Sequence, residues 1–255
     1  MKTLLIDAGN TRLKWATLRG GRLGSTRALA WNARGVNAAA RTVLRTRCER
    51  VLVCSVAGAA LETALRRAAR AAGKSAPQFV RSTRRAAGVR NGYVQTWRLG
   101  ADRWVAMLGA RARYPGRALC VVDIGTALTL DLLDAEGRHR GGLLVPGPAL
   151  MVDSLLNHTA GIRRRAGGRA RSKGRKAARF GRSTHAGLLS GSAMACAALI
   201  ERALREARSE LRGRPRLLLA GGGAAQVAPL LSVAHVRADD LVLQGLALLA
   251  KLDSR

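Results

Sequence analysis

Short apolar runs and helix-spaced apolar residues alternate along the chain. Continuous apolar runs bounded by glycine or polar turns are typical of buried strands. They predict strands at residues 3–6, 51–53, 119–122 and 217–220. Residues 12–18, 128–133 and 141–145 follow turns after a strand and are predicted to be further strands. A period near 3.6 predicts helices at residues 61–72, 101–114, 148–158, 184–211 and 241–252. Residues 74–99 follow neither pattern and are predicted to form a loop. This succession of elements is typical of an α/β protein.

Two segments in opposite halves of the chain resemble each other. Residues 4–11 (LLIDAGNT) and 120–127 (CVVDIGTA) each combine a buried strand with an Asp-x-Gly turn, and a second strand follows. The two copies lie 116 residues apart, and so wide an offset indicates duplicated domains and not a solenoid of short repeats. We therefore expect two domains, at residues 1–117 and 118–255, with one such turn in each.

The paired turns are suited to holding phosphate. Glycine lets the backbone come close to a ligand, and the backbone N–H groups of such turns form concavities that bind anions. The short polar residues beside the two glycines are Asn10, Thr11, Thr126 and Thr129. The carboxylates of Asp7 and Asp123 would repel phosphate directly. We therefore expect a cation such as Mg²⁺ between these carboxylates and the phosphates. A single Asp-x-Gly is also ordinary strand-end turn chemistry, and it is the pair that points to a triphosphate held across a cleft.

Two further motifs are weaker signals. Gly221-Gly222-Gly223 follows a predicted strand and could approach a ring or a phosphate, although no Gly-Lys-Ser/Thr follows to make it a Walker A loop. Asp102 is placed to cap the helix that follows it, and its carboxylate could also accept a hydroxyl proton. Arg103 could pair with a substrate carboxylate or lie on the surface.

The charge of the chain makes nucleic acid a possible partner. Lys and Arg number 45 against 15 Asp and Glu, a formal charge of +30, and such a surface attracts polyanions. Aromatic residues are only 3% of the chain, which leaves few platforms for stacking on bases. Ten of the twenty residues at 163–182 are Lys or Arg and none is acidic. This segment is typical of an extended, solvated loop, or of a tether for nucleic acid or another partner.

Cysteine usage and hydropathy indicate a cytosolic protein. The four cysteines are far apart and form no CxxC pair, so we expect reduced thiols. No apolar run approaches the roughly 18 residues that span a bilayer. Asp7 interrupts the N-terminal apolar run after three residues, so a secretory signal is not expected.

Taken together, the motifs resemble those of type III pantothenate kinases from residue 4 to about residue 249. The matching motifs, in the order of that family, are Asp7-x-Gly9-Asn10-Thr11, Tyr93, Gly100-x-Asp102-Arg103, Asp123-x-Gly125-Thr126-Ala127-x-Thr129, Gly141-Gly142, Pro146-Gly147 and Ser183-Thr184. The resemblance implies an actin-like fold of two ribonuclease-H-like domains around a nucleotide cleft. It also implies a cytoplasmic homodimer that uses ATP to convert pantothenate to 4'-phosphopantothenate, the first step of coenzyme A biosynthesis.

The resemblance also implies roles for individual residues. ATP, carrying Mg²⁺, would be bound by Asp7, Ala8, Gly9, Asn10, Thr11, Arg12, Leu13, Lys14 and Thr126. Pantothenate would be bound by Tyr93, Gly100, Ala101, Asp102, Arg103 and Thr184. Asp102 matches the proton acceptor. Asp123 matches the site of a monovalent cation, K⁺ or NH₄⁺.

One departure and two alternatives accompany this resemblance. Thr96 stands where the family usually has proline, a change that affects the rigidity of a loop. A non-enzymatic, transcription-related accessory factor would bind nucleic acid through the basic surface, but the presence of Asp7, Asp102 and Asp123 argues against an inactive scaffold. A kinase or phosphatase of the same fold with another acceptor is disfavoured by Tyr93 and the 100–103 segment.

Overall fold

The computed structural model describes residues 2–166, 180–211 and 213–253. Its strands are β1 (Lys2–Ala8), β2 (Arg12–Arg19), β3 (Arg22–Leu23), β4 (Arg27–Ala30), β5 (Arg50–Ser55), β6 (Gln78–Phe79), β7 (Arg85–Ala86), β8 (Val89–Arg90), β9 (Leu119–Ile124), β10 (Ala127–Leu133), β11 (His139–Pro146), β12 (Arg216–Ala220) and β13 (His235–Arg237). Its α-helices are α1 (Val36–Leu44), α2 (Gly58–Ala71), α3 (Ala101–Arg113), α4 (Pro148–His158), α5 (Ala160–Arg165), α6 (Thr184–Glu210), α7 (Ala224–Val227) and α8 (Leu241–Leu252).

Two sheets repeat one strand order. The first runs β3-β2-β1-β5-β6, with β4 also paired to β2, and the second runs β11-β10-β9-β12-β13. In each sheet three consecutive strands pair, and a strand from later in the chain joins the free side of the first of them. In the first sheet β1 is antiparallel to β2 and parallel to β5. The shared order agrees with the duplication that the two Asp-x-Gly segments predict.

The contacts divide the chain into two compact units. The first contains residues 2–119, 133–141 and 240–253, and the second contains residues 120–132 and 142–239. The last helix, α8, therefore belongs to the first unit, because it packs on α3, β1 and β5. The domain boundary expected between residues 117 and 118 stays a prediction.

In the first unit, helices cover both faces of the sheet. Leu4 and Ile6 of β1 form one apolar cluster with Leu61 and Leu65 of α2, all of them fully buried. Burial of each such side chain contributes roughly 1.5–3 kcal/mol. Side chains alternate along a strand, and α3 and α8 contact β1 and β5 as well. The beginning of α3, which carries Asp102, is thereby held on a rigid layer.

In the second unit, α6 packs against the sheet through a face that contains Cys196, Ile200 and Leu204. Within the described residues it is also the one helix long and apolar enough by mean hydropathy to cross a membrane, although it contains no continuous apolar run of the predicted spanning length. Its Ala, Leu, Ile, Met and Cys residues give the high hydropathy, and Gly, Ser and charged residues interrupt the apolar run. A core helix passes the same test of length and composition, and the buried face of α6 is typical of one.

Each predicted strand and helix is present, with ends that differ by a few residues. The predicted loop at residues 74–99 was wrong in part, because it contains β6 and the β7–β8 hairpin. These strands have two residues each, too short to produce an alternating pattern. Helices α1, α5 and α7 and strands β3, β4 and β13 were not predicted either. All four cysteines are free, as predicted.

Candidate active site

The first Asp-x-Gly turn joins β1 to β2, and a side chain from outside the turn stabilises it. The Gly9 N–H donates to the Arg12 carbonyl at 3.1 Å, and Trp31 Nε1 donates to the Gly9 carbonyl at 3.0 Å. Asn10 and Thr11 are exposed beyond the glycine. Of the predicted ATP-binding residues, Ala8 and Leu13 are buried in the sheet, so they could contribute only backbone groups.

Lys14, another predicted ATP-binding residue, already has an anionic partner. Its Nζ lies 3.6 Å from Asp240 Oδ1, and the Thr26 hydroxyl donates to Asp240 Oδ2 at 2.8 Å. Asp240 precedes α8 with a φ of 64°, in the left-handed region, which aspartate tolerates better than most residues. Sequence reasoning missed Asp240 because neither the pairing nor the backbone conformation leaves a sequence pattern.

The charges of Asp7 and Asp102 act on the same buried thiol. Asp7 in β1 is the register partner of Cys54 in β5. Burial, followed by the charges of Asp7 and Asp102, raises the pKa of the Cys54 thiol well above its ordinary range. The charges of the predicted proton acceptor and of the first turn's carboxylate therefore both reach this thiol, and α3, which carries Asp102, packs on β5. Cys54 remains a neutral thiol beside them.

The prediction that Asp102 caps its helix was wrong. Gly100 is the N-cap, and Asp102 lies in the first turn of α3, with its Oδ1 accepting from the Arg103 N–H at 2.8 Å. A carboxylate in the first turn interacts favourably with the helix dipole, by about 0.3–1 kcal/mol. The helix therefore stabilises Asp102 in its charged form.

Arg103 is buried. Of its two interpretations from the sequence, the one that placed it on the surface was therefore wrong. It is 7% exposed, and its Nη1 donates to the Tyr93 hydroxyl at 2.9 Å. Its guanidinium also lies 5.6 Å from the centre of the Tyr93 ring. A buried charge needs polar partners, and Tyr93 is one of them. Two predicted pantothenate-binding residues are therefore in direct contact.

The loop that carries Tyr93 depends on Asn91, which sequence reasoning also missed. The Asn91 side chain accepts from the Tyr93 N–H at 2.9 Å. It donates to the carbonyls of Thr83 and Thr96 at 3.3 and 3.2 Å. Asn91 is buried and lies in a segment without regular structure, so hydropathy gives no signal for it.

In the second unit, the second Asp-x-Gly turn is packed against two glycine segments. The Gly125 N–H donates to the Ala127 carbonyl at 2.9 Å, and the Gly147 N–H donates to the Thr126 carbonyl at 2.8 Å. The Gly223 N–H donates to the Ile124 carbonyl at 2.8 Å. The Gly221–Gly223 run therefore supports the turn that contains Asp123. The side chain of Thr126 is exposed.

The remaining predicted site residue, Thr184, is the first residue of α6. Ser183 caps this helix, accepting from the Ala186 N–H at 3.2 Å. Of the basic segment at 163–182, residues 167–179 lie outside the described residues. Arg163 is an exposed residue of α5, and its guanidinium donates to the Leu156 and Asn157 carbonyls at the end of α4.

Comparison with known proteins assigns the family. A profile of type III pantothenate kinases matches residues 3–206. A type III pantothenate kinase of Aromatoleum aromaticum is 42% identical over 259 residues, which cover 98% of each chain. The chain belongs to the type III pantothenate kinase family. It is accordingly a kinase that uses ATP to phosphorylate pantothenate in coenzyme A biosynthesis.

Solved structures support the predicted actin-like fold. A structure from Campylobacter jejuni, described as a Baf family transcriptional activator, superposes with a TM-score of 0.60 at 19% identity, covering 98% of both chains. A ROK family glucokinase from Streptomyces griseus superposes with a TM-score of 0.53 at 13% identity, covering 99% of this chain and 100% of the other. At these identities the likeness concerns the fold alone.

Proposed function

We propose that this family member transfers the γ-phosphoryl group of ATP in line to the primary hydroxyl of pantothenate, with Asp102 as the proton acceptor. The observation that supports the assignment is that Asp102 lies at the start of α3, which packs on β5, while Asp7 in β1 is the register partner of Cys54 in β5. The charges of both carboxylates also act on the Cys54 thiol. A group that takes the acceptor's proton has to lie near the group that organises the phosphates, and this packing of α3 and β1 against β5 supports such a placement.

Alignment of the reacting groups would contribute more to the rate than the basicity of Asp102. Phosphoryl transfer passes through a loose transition state that needs positioning and neutralisation of charge more than a strong base. Mg²⁺, which enters with ATP, neutralises charge on the phosphate oxygens. The chain would supply hydrogen-bond donors from the 7–14 turn and from Thr126. Asp102 would orient the hydroxyl and accept its proton late in the transfer.

The acceptor would be recognised by charge and by a short loop. Pantothenate carries one carboxylate, and the buried guanidinium of Arg103 is suited to pair with it. The Tyr93 hydroxyl, which bonds Arg103, would contribute a second polar contact. Gly100, Ala101 and Thr184 would complete the pantothenate contacts.

Asp123 would hold the monovalent cation, K⁺ or NH₄⁺. Its carboxylate stands next to the backbone carbonyl of Ile124, and both Asp123 Oδ1 and the Ile124 oxygen lie within 2.5 Å of the place where a Gly221 Cβ would be. Carboxylate and carbonyl oxygens are donors that suit such ions. The residues at this turn therefore fit the cation.

Activity in different salts tests this assignment. We expect pantothenate-dependent ADP release to rise with K⁺ or NH₄⁺ and not with tetramethylammonium at equal ionic strength. Asp123→Asn should lose that response, since a neutral amide holds a cation less well. A wild-type response in Asp123→Asn would remove Asp123 from the cation site.

The functional form would be a cytoplasmic homodimer. Val94 and Trp97 are 102% and 72% exposed, and both belong to the same loop as the proposed substrate contact Tyr93. Large exposed apolar side chains that lie close together are typical of protein interfaces. Free thiols accord with a reducing compartment.

Light scattering tests the dimer. The wild type should have twice the mass of the chain at micromolar concentration. Trp97→Asp should shift the mass toward that of one chain, because it would bury a charge in the interface, whereas Arg47→Asp at another exposed position should not. A single-chain mass for the wild type would exclude the dimer.

A further inference from the structure

A buried histidine lies behind the predicted substrate residues. His139, the first residue of β11, is 3% exposed. Its ring stacks on Tyr93, with centroids 5.8 Å apart and planes inclined by 13°. Both residues belong to the first unit. Gly141-Gly142, two residues further on, is one of the family motifs, whereas His139 belongs to none of them.

The backbone of His139 contacts the same loop. A Cβ at Gly92 would lie 1.9 Å from the His139 carbonyl oxygen, so only glycine lets the chain pass this close. The residue before Tyr93 thus rests on the main chain of His139, while the Tyr93 ring rests on its imidazole. Together with the Asn91 hydrogen bonds, this packing fixes where the Tyr93 ring lies.

The position of that ring is transmitted to Arg103. The Tyr93 hydroxyl accepts a hydrogen bond from Arg103 Nη1, and the face of the ring lies near the same guanidinium. Arg103 follows Asp102 directly in α3. A shift of the Tyr93 ring would therefore move a hydrogen-bond partner of a buried cation, next to the proposed proton acceptor.

We propose that His139 is a positioning residue for the acceptor substrate. Its ring holds Tyr93 so that the Tyr93 hydroxyl and the Arg103 guanidinium form one fixed pair of groups for the pantothenate carboxylate. The inference rests on the proposed roles of Tyr93 and Arg103. It assigns to His139 no contact with substrate and no proton transfer.

A positioning role and a purely structural role differ in what a substitution changes. If His139 only fills the core, its loss lowers stability and affects both substrates alike. If it positions the carboxylate-binding pair, its loss raises KM for pantothenate and leaves KM for ATP unchanged. It should also matter little for an acceptor that lacks the carboxylate.

The experiment compares His139→Ala, His139→Gln and His139→Phe with the wild type. Initial rates are measured with pantothenate and with pantothenol, in which a hydroxymethyl group replaces the carboxylate. Loss of the stacked ring in the Ala and Gln variants should raise KM for pantothenate about five- to tenfold. KM for ATP and kcat/KM for pantothenol should stay within about twofold. The Phe variant keeps a flat ring and should restore most of the loss.

Two controls separate this inference from the proposed function. Tyr93→Phe combined with His139→Ala should be less than additive, because both act on one hydrogen bond. Arg103→Gln should abolish the preference for pantothenate over pantothenol. If it does not, the proposed role of Arg103 fails. The role of His139 is overturned if Arg103→Gln does abolish the preference and the His139 variants show either of two results. One is an unchanged KM for pantothenate in His139→Ala and His139→Gln, and the other is an equal rise of KM for pantothenate and KM for ATP.

Discussion

Asp102→Asn should fold normally and lower kcat by about 10²- to 10⁴-fold. Asparagine keeps the shape of the side chain and an oxygen for the hydrogen bond from the Arg103 N–H. It loses the negative charge that would orient the substrate hydroxyl and accept its proton. The loss of the interaction between this charge and the helix dipole should lower the free energy of unfolding by no more than about 1 kcal/mol.

The test is a steady-state assay combined with thermal unfolding. Asp153→Asn is the matched control, since Asp153 is an exposed acid on α4 with no proposed role. An independent readout comes from Cys54, whose pKa should decrease in Asp102→Asn because one charge that raises it is gone. A kcat near that of the wild type in Asp102→Asn would exclude Asp102 from proton transfer.

Gly221→Ala should destabilise the second unit by about 2–3 kcal/mol and lower kcat/KM at least about tenfold. Gly221 has a φ of 87°, in the left-handed region that disfavours other residues. A Cβ there would lie 2.5 Å from both Asp123 Oδ1 and the Ile124 carbonyl oxygen. The methyl group would therefore displace the second Asp-x-Gly turn, and with it the proposed cation and ATP contacts.

Gly191→Ala is the matched control for that substitution. Gly191 lies within α6, and a Cβ there meets no atom within 4 Å, so alanine should stabilise the helix by up to about 1 kcal/mol. Urea unfolding and rates at varied ATP concentration measure both effects. A Gly221→Ala variant as stable and as active as the wild type would show that this glycine does not support the turn.

The sequence predicted the framework because its signals are local. The helix at 148–158 has proline in its first turn, and the helix at 241–252 is a long periodic apolar segment, so both were found with the observed bounds. The two Asp-x-Gly turns were found because each follows a buried apolar strand. A short continuous apolar run that ends at a turn is a local signal of burial, so no distant contact is needed to recognise it.

What the sequence could not predict depends on contacts between distant segments. His139 lies 46 positions from the Tyr93 ring that it stacks on, and the Lys14–Asp240 pair spans most of the chain. The cap of α3 was misplaced by two residues, because an aspartate in the first turn and one at the cap give similar patterns. The sequence also contains no signal that Arg103 is buried, since arginines are frequent throughout this chain.

The most direct test of the central claim follows the γ-phosphoryl group. The enzyme is incubated with ATP labelled in its γ-phosphate and with pantothenate, and the products are separated and identified by mass. The account predicts one labelled 4'-phosphopantothenate for each ADP formed, and no ADP formation when pantothenate is left out. Label released as free phosphate at a rate indifferent to pantothenate, or an absence of turnover combined with salt-dependent binding of duplex DNA, would contradict it.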